Sequence, residues 1–325
     1  MTFIMICDNK DNTGKGSASM LKKYRVNLSD IKDINIFKKI KCVYFDYDED
    51  RHSKKKEQEY LKIEEKILNT NPKINIFNSP KIISFLRNKY QQHLFFKDIC
   101  KDNPIFFIPD FTIINDVTDI SKLKINYPCI VQPSIALTGN FMYFCNSNKE
   151  LLENYNKILN TYNITPWHGA RNLSQIKIGQ DNHIFVREFI ESKNSLIDGF
   201  RNCIRLMVVN NEISEIYVRI NKTKWCIHNA DTCKEYTERN NADKMFYDFY
   251  IKNKKWFTIF LDNIYKKTGK GCFSIDLVYK DNKICICEIG HKWYDSSADK
   301  YIKTDRLVEH WNNPIKLLKK NIGLY

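Results

Sequence analysis

The chain has 325 residues, 43% of them hydrophobic, which is enough to bury a core in one large or two to three small domains; its 20 Phe and 18 Tyr exclude a disordered polymer. With 52 Lys and Arg against 38 Asp and Glu, the formal net charge is +14, which suits anionic partners such as nucleotides, phosphates and acidic peptides. No segment is long and apolar enough to span a bilayer, and the run at residues 1–7 is too short and lacks the basic flank of a signal peptide.

The 11 Cys have no disulfide framework and read as reduced thiols, so a soluble, cytoplasmic protein without a membrane partner is expected. Lys, Asn and Ile are abundant throughout, so part of the charge is compositional. No aromatic–basic motif of the RNA-recognition kind appears, which argues against nucleic acid.

Residues 3–7 predict a first strand. Residues 8–19, DNKDNTGKGSAS, form a polar loop whose Gly14-Lys15-Gly16-Ser17 lacks the earlier Gly of a Walker A motif; a plain flexible loop and a substrate contact are both open. Residues 42–46 predict a strand, 48–58 a charged, solvent-facing stretch, 57–68 a helix through Tyr60, Leu61, Ile63 and Leu68, and 74–77 a third strand. Strands alternating with helices suggest a small α/β domain over residues 1–78.

Asn78-Ser79-Pro80 caps a helix over 81–87; a second runs over 90–99, with Lys89 between them. Residues 109–114 are extended. The strand at 127–133 meets a loop at 134–140 that contains Thr138-Gly139, followed by a strand at 141–145 and a helix at 147–159. After a polar stretch at 161–182 come strands at 183–190, 201–209 and 212–220, the last two joined at Asn210-Asn211. Residues 243–267 predict one helix whose aromatic residues face the core, and 306–320 a basic amphipathic helix kinked near Pro314.

Residues 271–294, GCFSIDLVYKDNKICICEIGHKWY, carry the most information. Strands over 272–279 and 284–287 flank the turn residues Asp281-Asn282, which sets Asp276 and Glu288 nearly opposite each other. Two carboxylates side by side repel unless a cation lies between them, and hard oxygen ligands of this kind suit Mg²⁺. The alternative is an incidental acidic pair on a surface hairpin.

This hairpin resembles the last functional motif of the ATP-grasp superfamily, an Asp followed by Glu-x-Asn, with Gly290 in the place of Asn. Other pieces resemble that family in its own order over about residues 78–297. Lys89 matches a Lys that reaches the ATP phosphates. YPCIVQPSIALTGN resembles the Pro-x-Val-x-Lys-Pro strand and phosphate-covering loop, with Gln132 in the place of Lys and Thr138 and Gly139 in the loop; Lys89, Lys177 or Arg187 would compensate for the missing charge. Arg187, Glu188, Phe189 and Ile190 resemble the strand and hinge beside adenine, with Glu191 toward the ribose. Arg205 matches the Arg of an Asp-x-Arg strand, in which Cys203 replaces the acidic residue, and Arg219 matches a second Arg. Asp276 and Glu288 would hold Mg²⁺, completed by His291, Asp295 or water.

The resemblance is strongest to the ribosomal-protein glutamate ligase and glutathione synthetase type. It implies a mixed α/β and α+β protein: an N-terminal α/β domain over 1–78, a central lid over 79–185 and an antiparallel-sheet subdomain over 186–325. It also implies ATP and Mg²⁺ as cofactors and an acyl-phosphate reaction joining a small-molecule or peptide carboxylate to an amine. Amino acids, peptides and amino sugar derivatives all remain open as substrates. The departures at Gln132, Cys203 and Gly290 leave two alternatives: a nucleotide-binding assembly protein without ligase turnover, and a kinase.

Overall fold

The computed structural model describes residues 3–7, 24–47, 54–136, 141–162, 178–179, 182–227, 231–233, 235–290, 314–321 and 323. Four parallel strands, β1 (Phe3–Cys7), β2 (Arg25–Asn27), β3 (Cys42–Asp46) and β4 (Asn75–Phe77), form the first sheet in the order β2-β1-β3-β4. β1 and β3 are buried at every position, as inner strands of a sheet covered on both faces must be. β2 had no counterpart in the sequence reading.

Helix α1 (Lys54–Thr70) packs Tyr60 and Ile67 against Phe45 and Tyr47 of this layer. The stretch at 48–58 does not wholly face solvent: Glu57 is buried, because Arg87 pairs with it at 3.0 Å and the Ser84 hydroxyl donates to it at 2.6 Å.

A short 3-10 turn (Pro80–Ile82) leads into α2 (Ile83–Arg87) and α3 (Lys89–Ile99). Lys89 is the first residue of α3, and the Asn88 side chain caps that helix by accepting the Gln91 N–H at 3.1 Å. The two-residue strand β5 (Phe106–Phe107) follows.

The next sheet is antiparallel, in the order β6-β9-β7-β8: β6 (Phe111–Ile114), β7 (Cys129–Pro133), β8 (Tyr143–Cys145) and β9 (Ile184–Glu188). Helix α4 (Asn148–Tyr162) covers one face through a core that includes Val131, Cys145, Leu151, Ile158 and Val186. By alternation Ile130, Gln132, Phe144, Phe185 and Arg187 lie on the opposite face.

The large sheet runs β11-β10-β12-β13-β5, from β10 (Arg201–Val209), β11 (Glu212–Asn221), β12 (Cys272–Lys280) and β13 (Lys283–Gly290), and is antiparallel except where β13 meets β5. Between β11 and β12 lie α5 (Tyr236–Lys252) and α6 (Lys254–Thr268). The single helix expected at 243–267 is therefore two helices: the chain breaks at Asn253, whose N–H turns back to the Phe249 and Tyr250 carbonyls. Helix α7 spans Pro314–Asn321; residues 306–313, the first part of the helix expected over 306–320, lie outside the described residues.

Two elements lie across the expected domain divisions. The division at 185/186 falls inside β9, which belongs wholly to the smaller antiparallel sheet. Residues 82–106 join the large sheet's core, where Ile82, Leu86, Phe96 and Phe106 pack with Ile275 and Leu277. Among the described residues no helix is long and apolar enough to cross a membrane.

The large sheet's two faces have different destinations. Ile204, Leu206 and Val208 of β10 and Phe273, Ile275 and Leu277 of β12 point into the helix-covered core. On the reverse face, Met207, Val209, Tyr217 and Cys272 pack against Phe3, Met5, Tyr44 and Phe77 of the first sheet. That apolar cover ends at Met207; the next residues on the same face are Arg205 and Cys203.

Asn78 fastens the first sheet to the hairpin. It is fully buried with φ 52°; its N–H donates to the Lys270 carbonyl at 2.9 Å, and its side-chain oxygen accepts the Cys272 N–H at 2.8 Å. Asn78→Ala is expected to cost about 2–4 kcal/mol in urea unfolding, combining the lost bond with a left-handed backbone. Asn78→Gly, which tolerates that backbone, is expected to lose only about 1–3 kcal/mol.

Candidate active site

The turn at Asp281-Asn282 has positive φ at both residues, 49° and 60°, the geometry of a two-residue hairpin turn. Counting back along the register from Lys280 opposite Lys283, a regular ladder would set Asp276 opposite Cys287 and turn Glu288 toward the core. A bulge between Asp276 and Leu277 shifts the register by one residue, so that Asp276 faces Glu288. The phase change lets Ile284, Ile286 and Ile289 all reach the core while Glu288 reaches the other face.

On that face, register puts Arg205 beside both Asp276 and Tyr217, and Cys203 beside Arg219. Arg205 grips Asp276 with two parallel bonds, Nε to Oδ1 at 2.6 Å and Nη2 to Oδ2 at 2.7 Å. Arg219 Nη2 donates to the same Oδ1 at 3.0 Å and to Cys203 Sγ at 2.8 Å. Burial alone would raise the Asp276 carboxyl; the Arg205 and Arg219 charges outweigh it and hold the group well below the usual carboxylate range. Burial pushes the Cys203 thiol up, and Arg219 opposes the shift.

Lys89 reaches across from the start of α3. Its Nζ lies 3.0 Å from Glu288 Oε2 and donates to the Ala136 carbonyl at 3.0 Å, while its N–H donates to the Ser134 carbonyl at 2.8 Å. One residue thereby connects the hairpin to the chain leaving β7. Arg187 approaches from the smaller sheet. Burial raises the Cys226 thiol to about 11, with Glu288 adding to the shift and Arg187 opposing it, so the thiol feels charges from both sheets. Arg187 Nε and Arg219 Nε are buried donors with no acceptor among the described residues. Buried donors call for acceptors, and those of an anionic ligand would serve.

Several expected contacts take other forms. Gln132 is buried on the inner face of β7, opposite Phe185. The Glu188 side chain accepts from the Asn126 backbone and side chain, and the Glu188 and Phe189 N–H groups donate to Asp110 and Pro128 carbonyls. Glu191, expected near a ribose, is held by Arg201 through bonds of 2.9 and 2.7 Å. Ile190 lies two residues after the end of β9. Thr138, Gly139, Lys177, His291, Asp295 and the loop at 8–19 lie outside the described residues. Tyr217 and Cys226 were missed. Alternation from Arg219 points to Tyr217, whereas no local pattern marks Cys226.

The two carboxylates of the expected Mg²⁺ seat have protein partners in this structure. The carboxylates are opposed, but they do not turn toward a shared ion: both Asp276 oxygens accept guanidinium N–H groups, and Glu288 pairs with Lys89. Gly290 supplies no side chain, and among the described residues no three metal-ligating groups converge. As arranged, these residues do not fit a metal held between Asp276 and Glu288.

No family model matches the sequence, and no curated protein matches it. Solved structures do. An L-amino acid ligase from Bacillus licheniformis superposes with a TM-score of 0.54 at 15% identity, over 98% of this chain and 74% of that one. D-cycloserine synthetase gives a TM-score of 0.52 at 10% identity, over 98% and 99%. N5-carboxyaminoimidazole synthetase from Staphylococcus aureus, complexed with ADP, gives 0.52 at 14% identity, over 91% and 71%. The chain has the ATP-grasp fold.

His93 of α3 backs this site. It is fully buried between Phe111 and Phe185, its Nδ1–H donates to the Lys89 carbonyl at 2.9 Å, and burial followed by the Arg187 charge lowers its pKa to about 3. The unfolded chain therefore binds a proton near pH 6.5 that the folded chain refuses, so stability falls as pH drops through that value. Between pH 7 and 5 the wild type is expected to lose about 2 kcal/mol from this residue in urea unfolding, a loss that His93→Gln abolishes.

Proposed function

We propose that the chain is an ATP-dependent carboxylate–amine ligase that works through an acyl phosphate. The observation that carries this reading is the pair of guanidinium groups, Arg205 and Arg219, clamped by Asp276 on an ATP-grasp sheet, with Lys89 and Arg187 brought up from the other side. Four cationic side chains against two carboxylates leave a positive excess that favours phosphates and a carboxylate substrate. The ADP and amino acid partners named for the similar structures are consistent with this chemistry.

In the first half-reaction a carboxylate oxygen attacks the γ-phosphorus and ADP leaves. In the second an amine nitrogen attacks the acyl carbon, the C–O bond to phosphate breaks, and the amine loses a proton. Both transition states gather negative charge on oxygen. Arg205 and Arg219, already ordered, would stabilise that charge without reorganising. Lys89 would trade Glu288 for a phosphate oxygen as nucleotide enters. Arg187 and the chain at 188–191 would border the nucleotide, with Gln132 donating a neutral hydrogen bond where the family pattern has a cation. The donor carboxylate would be an amino acid, a peptide or an amino sugar derivative.

Release of ADP and phosphate from ATP, measured across a panel of carboxylates paired with amines, tests the reading. Turnover is expected to require both substrates, and Arg205→Met and Arg219→Met are each expected to lower kcat by about 10²–10³. A phosphorylated product formed without any amine would make the chain a kinase. ADP binding without turnover on any pair would make it a nucleotide-binding protein only.

A further inference from the structure

We propose that Asp276 is a positioning residue for the two arginines, and that a cation travelling with the nucleotide meets Glu288 but not Asp276. This rests on the nucleotide reading above and refines it. A carboxylate offers about four lone-pair directions, and three are taken here by N–H groups at 2.6, 2.7 and 3.0 Å. The Arg205 contact is bidentate, the strongest form such a pair takes. The one direction left, on Oδ2, opens inside a buried cluster where the side chain is only 13% exposed and two guanidinium charges on the same carboxylate would repel a metal ion.

The arginines need it there. Arg205 and Arg219 share one acceptor oxygen, and two buried like charges that close are unfavourable unless an anion lies between them. Glu288 is in the opposite situation: its side chain is 39% exposed, and among the described residues its salt-bridge partner is the amine of Lys89, which also has the Ala136 carbonyl. Gly290 brings no donor where the family pattern has one. The fixed cations of the site therefore supply most of the charge that a phosphate needs, and nucleotide binding is largely independent of metal.

Calorimetric titration of the full chain with ADP, in excess Mg²⁺ and in excess EDTA, reads this directly. The two Kd values are expected to agree within about threefold, well under the tenfold that 1.4 kcal/mol represents; a larger weakening in EDTA would overturn the proposal. No ADP binding in either solution would remove the nucleotide reading itself, and the proposal with it. Manganese binding to the ADP complex, followed by electron paramagnetic resonance, separates the two carboxylates. Glu288→Gln is expected to lose at least about tenfold in Mn²⁺ affinity, since even partners one shell beyond a metal cost about 10–100-fold. Asp276→Asn is expected to stay within about threefold of wild type; a loss equal to that of Glu288→Gln, with ADP still bound, would contradict the assignment. In wild type, the Arg205 Nε–H resonance is expected to remain in place when Mg²⁺ is added to the ADP complex. Its loss would mean that the carboxylate leaves the arginines for the ion.

Discussion

A single carboxylate holds together the buried charged cluster of the large sheet. Asp276 lies midway along a central strand of the large sheet and accepts from guanidinium groups on two other strands, so it fixes the relative positions of β10, β11 and β12 on the site side. Without that anion, Arg205 and Arg219 would be two desolvated cations in contact, an arrangement the interior does not tolerate. With it they form a rigid, preordered cluster of net positive charge. Such a cluster stabilises charge developing on a substrate, because its dipoles and charges need not move during reaction.

The rest of the fold explains why this cluster is both buried and reachable. One face of the large sheet is closed by helices. The other is closed by the first sheet only as far as Met207; beyond that point lie Arg205 and Cys203, and Lys89 joins Glu288 there to the chain leaving β7. The charged cluster lies where the first sheet's cover ends. Lys89 borders it, tied by its backbone to Ser134 and by its side chain to Glu288 and Ala136.

How much of this was legible depended on how local each signal is. The hairpin was readable because Asp281-Asn282 is a turn that few other structures accept, and the apolar residues flanking it alternate. The bulge that turns Glu288 toward the site was also written in the chain, as the change from an Ile284–Ile286 spacing of two to an Ile286–Ile289 spacing of three, but only a paired strand gives that change meaning. β5 has two residues and exists because β13 offers an edge, so no period could announce it. Glu57 looked like part of a solvated charge run because its partner, Arg87, lies 30 positions away. Asp276 and Glu288 were singled out correctly as a facing pair. Their partners were not foreseen: the carboxylates were expected to share a cation, whereas protein cations from three other elements reach them first. Sequence spacing reports which residues share a face, but not which of several nearby charges each will choose.

The central claim is that Arg205 and Asp276 form a coupled buried pair on which the site's geometry depends. A double-mutant cycle on folding stability tests it, using Arg205→Met, Asp276→Asn and the double variant in urea unfolding at neutral pH. The account predicts a coupling energy of about 1–3 kcal/mol, each single change harming the fold more than the other does in its partner's absence. Losses that add within about 0.5 kcal/mol would contradict it, since independent sites behave that way.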